Sequence, residues 1–271
     1  MLSLASSPLA FAPFAQPLHP NLAPAAAGVR METLADLDAL SAKLNPALTP
    51  MRFDPLNLAE ADFWGSGAEA TIGFLRHSEI KHGRIAMFAF VGYIVQANGL
   101  HFPFQLTTSG ITYADISAAG SPPEQWDALP TAAKIQIFGA ISFLELIGER
   151  SDLLEAQGGK HYMMGGKPGV YPSLKSAGVP HPVPFDLYDP FGLSKNKTPE
   201  SKARGLVSEI NNGRLAMLGI IGFLSEAKIP GSVPALTGLI KPYAGEPMGP
   251  FSATDSLPFV NEMLTWKTDF F

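Results

Sequence analysis

Six side chains that can donate a lone pair to a metal lie inside stretches that are otherwise apolar. Glu79 and His82 are three residues apart, and Glu209 and Asn212 repeat that spacing. On a helix this spacing leaves the two side chains about 60° apart, too splayed for one shared ion. Each could therefore hold one ion through a single axial position, and hard oxygen and nitrogen donors suit magnesium. The candidates are Glu79, His82, Glu209, Asn212, Glu145 and Gln136.

These candidates belong to an internal repeat. Residues 78–93 and 208–223 align without gaps, and 8 of the 16 positions are identical. A repeated segment predicts a repeated structural unit, here a helix used twice. A His or Asn inside an apolar helix can also serve only as a hydrogen bond between helices. The recurrence favours the ligand interpretation for His82 and Asn212 without excluding the other.

Each copy of the repeat places a Glu and an Arg five residues apart. That separation is about 140° around a helix, so the two charges of one copy are poor partners. Exchange between the copies solves the problem, because Glu79 can pair with Arg214 while Glu209 pairs with Arg84. The sequence therefore predicts two helices that cross as a pseudo-two-fold pair, joined by two ion pairs.

Small residues recur at every third position of both copies. Rows of this kind allow two helix backbones to approach closely, as in membrane helix pairs. The alternative is an amphipathic helix pair of a soluble protein, but the faces beside these rows are apolar as well. The rows are Gly83, Ala86, Ala89 and Gly92 in the first copy, and Gly213, Ala216, Gly219 and Gly222 in the second.

The composition and the long apolar runs indicate a membrane protein. Charged residues make up 16% of the 271 residues, below the quarter that is usual in soluble domains. If the Glu–Arg pairs neutralise each other, three segments are long enough to span a bilayer. We predict an all-α membrane protein with transmembrane helices at about 73–97, 132–150 and 205–227, in a single domain over 31–271.

Loop charges predict the orientation. Segment 98–130 has no Lys or Arg, whereas segment 151–204 has seven. By the positive-inside rule, the N-terminus and segment 151–204 are predicted to lie on the matrix-like side of the membrane. Residues 1–30 lack any charge before the last position and are predicted to be a targeting peptide, partly or wholly. Residues 255–270 could form a short amphipathic surface helix on the opposite side.

Several function classes receive no support from the sequence. There is no phosphate-binding glycine loop, zinc-protease motif or nucleophile elbow, so we predict that the chain is not an enzyme. The net charge is −5 and no basic domain is present, which argues against nucleic acid as a partner. The chain has no cysteine, so neither disulfides nor thiolate metal sites apply.

The doubled motif Glu-x-x-x-Gly-Arg-x-Ala-Met, with a third apolar run between its copies, resembles the chlorophyll-binding light-harvesting antenna family. The resemblance covers about 50–271. The phrases GLHFPFQ and HYMMGGKPG are similar to the chlorophyll a/c antennae of red-lineage plastids, either dinoflagellate or fucoxanthin-chlorophyll proteins. The resemblance implies chlorophyll a, chlorophyll c and carotenoids of the peridinin, fucoxanthin or diadinoxanthin type as cofactors.

The resemblance also implies roles for particular residues. Glu79, His82, Glu209 and Asn212 correspond to ligands of chlorophyll magnesium, and Glu145 and Gln136 are the candidates on the middle helix. A repeated Asp-Pro turn precedes each copy of the repeat, and in the family such turns flank carotenoid ends. The turns begin at Asp54 and Asp189.

The implied function is to absorb light and pass excitation to a photosystem. The implied partners are the core of photosystem I or II, neighbouring antenna proteins and thylakoid lipids, in a multi-pass protein of the plastid thylakoid. Two alternatives remain: a photoprotective quencher of the same fold that senses acidity through exposed carboxylates, and a plastid transporter with inverted repeats. The quencher's candidate sensors are Asp115, Glu124, Asp127, Glu226 and Glu262.

Glu226 departs from the family pattern. Green-plant members usually carry a Gln ligand at the corresponding place, 14 residues after the third-helix Asn. Because Lys228-Ile229-Pro230-Gly231 ends the helix soon afterwards, we expect Glu226 to be solvated rather than a magnesium ligand.

Overall fold

The computed structural model describes residues 32–44, 52–175, 189, 191–194, 196–247, 249–260 and 262. Every regular element in these ranges is a helix, and the strand-like pairing found there is a single bridge between Gln105 and Thr112. The prediction of an all-α fold is therefore confirmed for this part of the chain. The predicted targeting segment 1–30 lies outside the described residues, as does most of the predicted surface helix at 255–270. The helices are α1 (Leu34–Leu44), α2 (Ala68–Ala97), α3 (Tyr113–Ser117), α4 (Pro122–Asp127), α5 (Thr131–Gly148), α6 (Ser151–Ala156) and α7 (Pro199–Lys228).

Local sequence signals fix the ends of the two longest helices. Helix α7 begins after Thr198, whose hydroxyl accepts a hydrogen bond from the backbone N–H of Ser201, and Pro199 occupies its first position. Helix α2 ends at Ala97 and is followed by Gly99, which has a φ of 69° and lets the backbone N–H of Leu100 reach the carbonyl of Val95 at 3.2 Å.

Helices α2 and α7, which we call the repeat pair, pack directly against each other. A Cβ atom added to Gly83 would lie 3.1 Å from the Cα of Gly213, and one added to Gly213 would lie 2.9 Å from the Cα of Gly83. Only glycine permits this approach of two backbones. Farther along the helices, the rings of Phe90 and Phe223 stack with centroids 4.9 Å apart. The crossing point of the pair is therefore the glycine position shared by both copies of the repeat.

Helix α5 is held differently, by polar contacts near its two ends. Near its beginning, Lys134 Nζ lies 2.7 Å from Asp255 Oδ2, and the hydroxyl of Thr131 donates to Asp255 Oδ1 at 2.8 Å. We call this group the Lys134 clasp. Near its end, Lys81 of α2 forms an ion pair with Glu145, and the hydroxyl of Tyr171 donates to the carbonyl of Leu144.

One helix within the described ranges, Thr131–Gly148, is long and apolar enough to cross a membrane by length and composition. Only 17% of that stretch is buried, so it is not the core helix of a soluble fold. Helices α2 and α7 have similar exposed apolar side chains, including Phe88 and Leu218, but carry more charges. Four of these charged residues meet across the repeat pair: Glu79, Arg84, Glu209 and Arg214.

Candidate functional site

Both cross-helix couples meet in the structure. Nε of Arg84 lies 2.6 Å from Oε1 of Glu209, and Nη2 of Arg214 lies 2.6 Å from Oε1 of Glu79. About a third of each side chain in the Arg84 couple remains exposed. The carboxylates are thus charge-balanced by the opposite helix while they still face the surface.

The two ion pairs are not equivalent. Glu79 has a second cation, because Nη1 of Arg76 donates to its Oε2 at 3.1 Å. Glu209 has no second cation among the described residues. Its partner Arg84 is bound elsewhere as well, since Nη1 donates to the carbonyl of Gly169 at 2.7 Å. Both oxygens of Glu79 are therefore bound by arginine, whereas for Glu209 arginine binds only Oε1.

The ring of His82 is held in one tautomer by its own helix. Its Nδ1 lies 2.8 Å from the carbonyl oxygen of Ser78. A carbonyl can only accept, so Nδ1 carries the proton and the lone pair of the neutral imidazole is on Nε2. The side chain is exposed. A histidine that ligates a metal normally donates its other ring N–H in this way.

Asn212 takes the same position in the second copy. Its amide nitrogen lies 3.4 Å from the hydroxyl of Ser208, the residue that corresponds to Ser78 in the repeat. The amide oxygen is then left as an acceptor on an exposed side chain. Both copies therefore present one lone pair outward, from a nitrogen in the first and from an oxygen in the second.

The two candidates on α5 do not share a site with each other. Glu145 is paired with Lys81, and Gln136 is exposed nine residues earlier, on the opposite face of the helix. No cluster of three or more metal-binding side chains occurs in the described part of the chain. The candidate ligands are thus isolated donors, each suited to a metal whose other positions are already filled.

The two Asp-Pro turns have the same hydrogen bonds. The carboxylate of Asp54 accepts from the backbone N–H groups four and five residues later, both at 3.0 Å. The carboxylate of Asp189 accepts from the corresponding N–H groups, both at 2.7 Å. The left-handed position three residues after each Asp is filled by Asn57 and by Gly192. The echo in the sequence is therefore a repeated turn, closed by its own aspartate.

A cavity of about 530 Å³ lies beside the first ion pair, between α1, the Asp54 turn and α2. Its wall combines apolar side chains of α1 with Glu79 and the guanidinium groups of Arg76 and Arg214. A second cavity of about 370 Å³ lies between the far ends of α2 and α7, beside Tyr93 and Trp126. The fold thus leaves space at both ends of the repeat pair.

Comparison with known proteins decides the family. The sequence profile described as chlorophyll A-B binding protein matches residues 38–228. The chain belongs to the chlorophyll A-B binding protein family. The resemblance inferred from the doubled motif is confirmed, and a member of this family is a pigment-binding antenna in a membrane rather than an enzyme.

Individual relatives come from algae with red-lineage plastids. The chain is 31% identical over 183 residues to a fucoxanthin-chlorophyll a-c binding protein of Trieres chinensis, covering 67% of this chain and 76% of the relative. It is 31% identical over 181 residues to protein F of that kind from Phaeodactylum tricornutum, covering 65% and 74%. Protein A from Macrocystis pyrifera is 32% identical over 182 residues, covering 66% and 68%.

The donor atoms fit chlorophyll in this antenna family. The macrocycle supplies four nitrogens to magnesium, so one axial atom from the protein completes the site. Beside each of the candidate donors His82 and Asn212 runs an exposed apolar stripe at intervals of three residues, which a flat macrocycle could cover. The stripes are Ile85, Phe88 and Val91 after His82, and Leu215, Leu218 and Ile221 after Asn212.

The expectation that Glu226 is solvated is wrong. Its side chain is buried, with 2% of the residue exposed. Both oxygens accept backbone hydrogen bonds at 2.8 Å, one from Gly231 and one from Val233. The helix does end immediately, as expected, but the chain then turns back over the carboxylate instead of leaving it in solvent. Glu226 therefore stabilises the turn after α7.

Sequence reasoning missed several residues around the site. Arg76 precedes Glu79 by three residues, a spacing that favours pairing on a helix and could have been recognised. Lys81 and the Lys134 clasp join residues 64 and 121 positions apart, with no local signal. His77 is buried and accepts a hydrogen bond through Nδ1 from the N–H of Gly169, so its Nε2 holds the proton and has no lone pair for a metal.

Proposed function

We propose that the chain is a light-harvesting antenna of the plastid thylakoid that binds chlorophyll a, chlorophyll c and fucoxanthin-type carotenoids. The family match and the names of the relatives, fucoxanthin-chlorophyll a-c binding proteins, support this assignment. Bound chlorophyll absorbs light and transfers excitation to neighbouring pigments, without bond chemistry. The protein fixes the positions of the pigments, and the observation that carries the proposal is the outward lone pair of His82, held by the Ser78 carbonyl.

Four ligands are assigned to the repeat pair. His82 and Asn212 bind magnesium through neutral atoms, and Glu79 and Glu209 bind it through carboxylates whose charge is balanced by arginine from the opposite helix. Balance matters because an uncompensated carboxylate in the bilayer is costly. The two couples related by the repeat support a pseudo-two-fold pair of spans.

The middle helix contributes the remaining ligands. Glu145 is the preferred candidate, and its charge is balanced by Lys81 in the way that arginine balances the carboxylates of the pair. Gln136 is the second candidate, on the opposite face. The middle span then separates two groups of pigments, one on each side.

The Asp54 and Asp189 turns are assigned to the ends of two carotenoids. Each turn is closed by its own carboxylate, so it presents a fixed backbone surface at the beginning of a span. The cavity of about 530 Å³ adjoins the first turn and has both apolar and charged walls. Such a wall suits the polar end of a long apolar molecule.

Three spans place the N-terminus and segment 151–204 on the stromal side and segment 98–130 on the lumenal side. The charge asymmetry of the loops supports this orientation. The proposed partners are a photosystem I or II core, neighbouring antenna proteins and thylakoid lipids.

Reconstitution with pigments tests the ligand assignment. His82→Leu and Asn212→Leu keep the helices apolar and remove one axial donor each, so each variant is expected to bind fewer chlorophylls and to lose a distinct absorption band. His77→Phe is the matched control on the same helix, because it keeps the stacking with Tyr162 and removes a ring without a metal-binding lone pair. Unchanged pigment stoichiometry in both leucine variants would contradict the ligand assignment and would favour a role of His82 and Asn212 in hydrogen bonds between helices.

The photoprotective alternative gains no support from two of its candidate sensors. Asp115 and Glu124 each accept hydrogen bonds from the backbone and hydroxyl of a helix-capping residue, Thr112 and Ser121, and these bonds lower the pKa of both carboxyl groups. Groups held in this way stay ionised in mild acid.

A further inference from the structure

A short hairpin follows α2, within segment 98–130, which has no Lys or Arg. The chain turns at Gly99, and the hairpin is closed by the bridge between Gln105 and Thr112. The backbone N–H of Leu106 donates to the carbonyl of Ile111 at 2.7 Å. The segment before the bridge therefore runs between the hydrogen bond from the N–H of Leu100 to the carbonyl of Val95 and the bridge itself, within a few residues of the end of a long helix.

His101 in this hairpin has the same ring state as His82. Its Nδ1 lies 3.1 Å from the carbonyl oxygen of Phe102, which can only accept, so the proton is on Nδ1 and the lone pair is on Nε2. The side chain is exposed. A backbone carbonyl is the partner that commonly fixes the tautomer of a ligating histidine.

The other two histidines in the described ranges differ from this pair. His77 is buried and uses Nδ1 as an acceptor, which places its proton on Nε2. His161 has both nitrogens engaged, with Nδ1 accepting from the N–H of Met163 and Nε2 lying 3.1 Å from Glu149. Among these four rings, only His82 and His101 present an exposed Nε2 lone pair.

A group of exposed aromatic side chains follows His101 in the hairpin. Phe102 and Phe104 stack with centroids 5.2 Å apart, and Tyr113 meets Phe104 edge-on at 5.4 Å. Phe102 is 62% exposed and Phe104 is 57% exposed, so nothing in the described chain covers them. An outward axial donor next to an exposed apolar plane is the combination seen at His82 with Ile85 and Phe88.

We infer that His101 is the axial ligand of a further magnesium tetrapyrrole, whose macrocycle covers Phe102 and Phe104. The inference rests on the proposed function, because the same class of ligand is assigned to His82. A lipid acyl chain could also cover the exposed phenylalanines, but it would offer no bonding partner to the Nε2 lone pair of His101. The hairpin is thus a pigment site outside the repeat and outside the middle helix.

Reconstitution of the full chain with chlorophyll and carotenoid tests this site. His101→Leu is expected to lose one chlorophyll per protein, with a difference spectrum distinct from that of His82→Leu. His101→Gln keeps an axial oxygen and is expected to recover the pigment, whereas Phe102→Ala with Phe104→Ala should weaken it. Because His101 is on the surface, the melting temperature of the pigmented complex should change little.

The outcomes separate this inference from the proposed function. If His82→Leu and Asn212→Leu lose chlorophyll and His101→Leu does not, the hairpin site is wrong and the ligand assignment in the repeat stands. If none of the three loses chlorophyll, the assignments fail together. A nitroxide on Phe104→Cys, in a chain without native cysteine, adds a second readout. Oxygen access to that label in the fully pigmented protein would assign the patch to lipid and overturn the inference.

Discussion

The repeat pair and the middle helix are stabilised by different means. Helices α2 and α7 touch through their backbones at Gly83 and Gly213, and their charges pair across the contact. Helix α5 leaves most of its surface exposed and is fixed by side chains near its two ends. The two helices of the repeat pair pack directly against each other, whereas the middle helix is held by side-chain contacts near its two ends. The space left beside α5 is where pigments can complete the packing.

The ion pairs near the two ends of α5, Lys134–Asp255 and Lys81–Glu145, also differ from each other. Lys134 and Asp255 are buried almost completely, with side-chain exposures of 0% and 2%, and Thr131 and Ser252 add hydrogen bonds to the carboxylate. Lys81 and Glu145 remain 34% and 52% exposed. A buried ion pair is expensive to break from one side, and an exposed one is worth little. The position of the middle helix therefore depends mainly on its first turn.

The largest expected effect comes from breaking the Lys134 clasp. Lys134→Met leaves the carboxylate of Asp255 buried without its cation, and removal of one partner of such a pair costs about 3–5 kcal/mol. We expect the pigmented complex to melt far earlier, as measured by circular dichroism in the chlorophyll bands. Adding Asp255→Asn removes the stranded charge and keeps an acceptor for Thr131, so the double variant should recover stability. Equal instability of single and double variants would contradict the clasp.

A smaller effect distinguishes the two ion pairs of the repeat. Arg84→Gln leaves Glu209 without a cation in the described structure, whereas Arg214→Gln leaves Glu79 with Arg76. An unsatisfied charged group costs about 1–3 kcal/mol or more, so Arg84→Gln should lower the melting temperature more than Arg214→Gln. Equal losses would show that Arg76 does not compensate.

Charge reversal provides the control for the Arg84 couple. Arg84→Glu should reduce assembly with pigment more than Arg84→Gln does, because it places two carboxylates together. Combination with Glu209→Arg restores opposite charges and should recover part of the assembly, with one chlorophyll fewer. Recovery will be incomplete because the hydrogen bond from Arg84 to the Gly169 carbonyl is lost.

The backbone contact of the pair can be tested with one methyl group. Gly213→Ala places a Cβ 2.9 Å from the Cα of Gly83, and such overpacking costs about 1–3 kcal/mol. Gly205→Ala on the same helix meets no atom within 4 Å and gains helix propensity of about 1 kcal/mol. The two variants should therefore shift the melting temperature in opposite directions. A shift of the same sign would argue against close backbone packing.

The smallest expected effect is that of mild acid on the Lys134 clasp. Burial raises the pKa of Asp255, but hydrogen bonds from Lys134, Ser252 and Thr131 outweigh it and the net pKa is lowered from 3.8. A lowered folded-state pKa gives stability that is present above the ordinary value and is lost only as the pH falls through the folded value. The melting temperature should thus stay constant between about pH 7 and about pH 5. A fall that disappears in Lys134→Met would contradict this.

The ion pairs of the repeat pair could be predicted from the sequence, but the Lys134 clasp could not. The Glu–Arg couples follow from a repeat that is legible in the chain, because the five-residue spacing rules out pairing within one helix. The Asp54 and Asp189 turns could also be predicted from their repetition. Lys134 and Asp255 carry no such signal, since each occurs once and their encounter depends on how the C-terminal segment folds back. Glu226 was misjudged for the same reason, because its partners lie in a turn whose path the sequence does not specify.

The separation of the ion-pair partners has a consequence for entry into the bilayer. Arg84 and Glu209 are 125 positions apart, and Arg214 and Glu79 are 135 apart. In the proposed three-span arrangement, α2 must carry Arg84 without its carboxylate partner until α7 arrives, at about 2.5–3.5 kcal/mol for an Arg near a helix centre on the insertion scale. Helix α5 carries only two charged side chains, Lys134 and Glu145, and among the described helices it is the one whose length and composition alone allow a crossing. In this arrangement the insertion of α2 is coupled to that of α7. Truncation of the chain before α7 should therefore leave α2 outside the membrane.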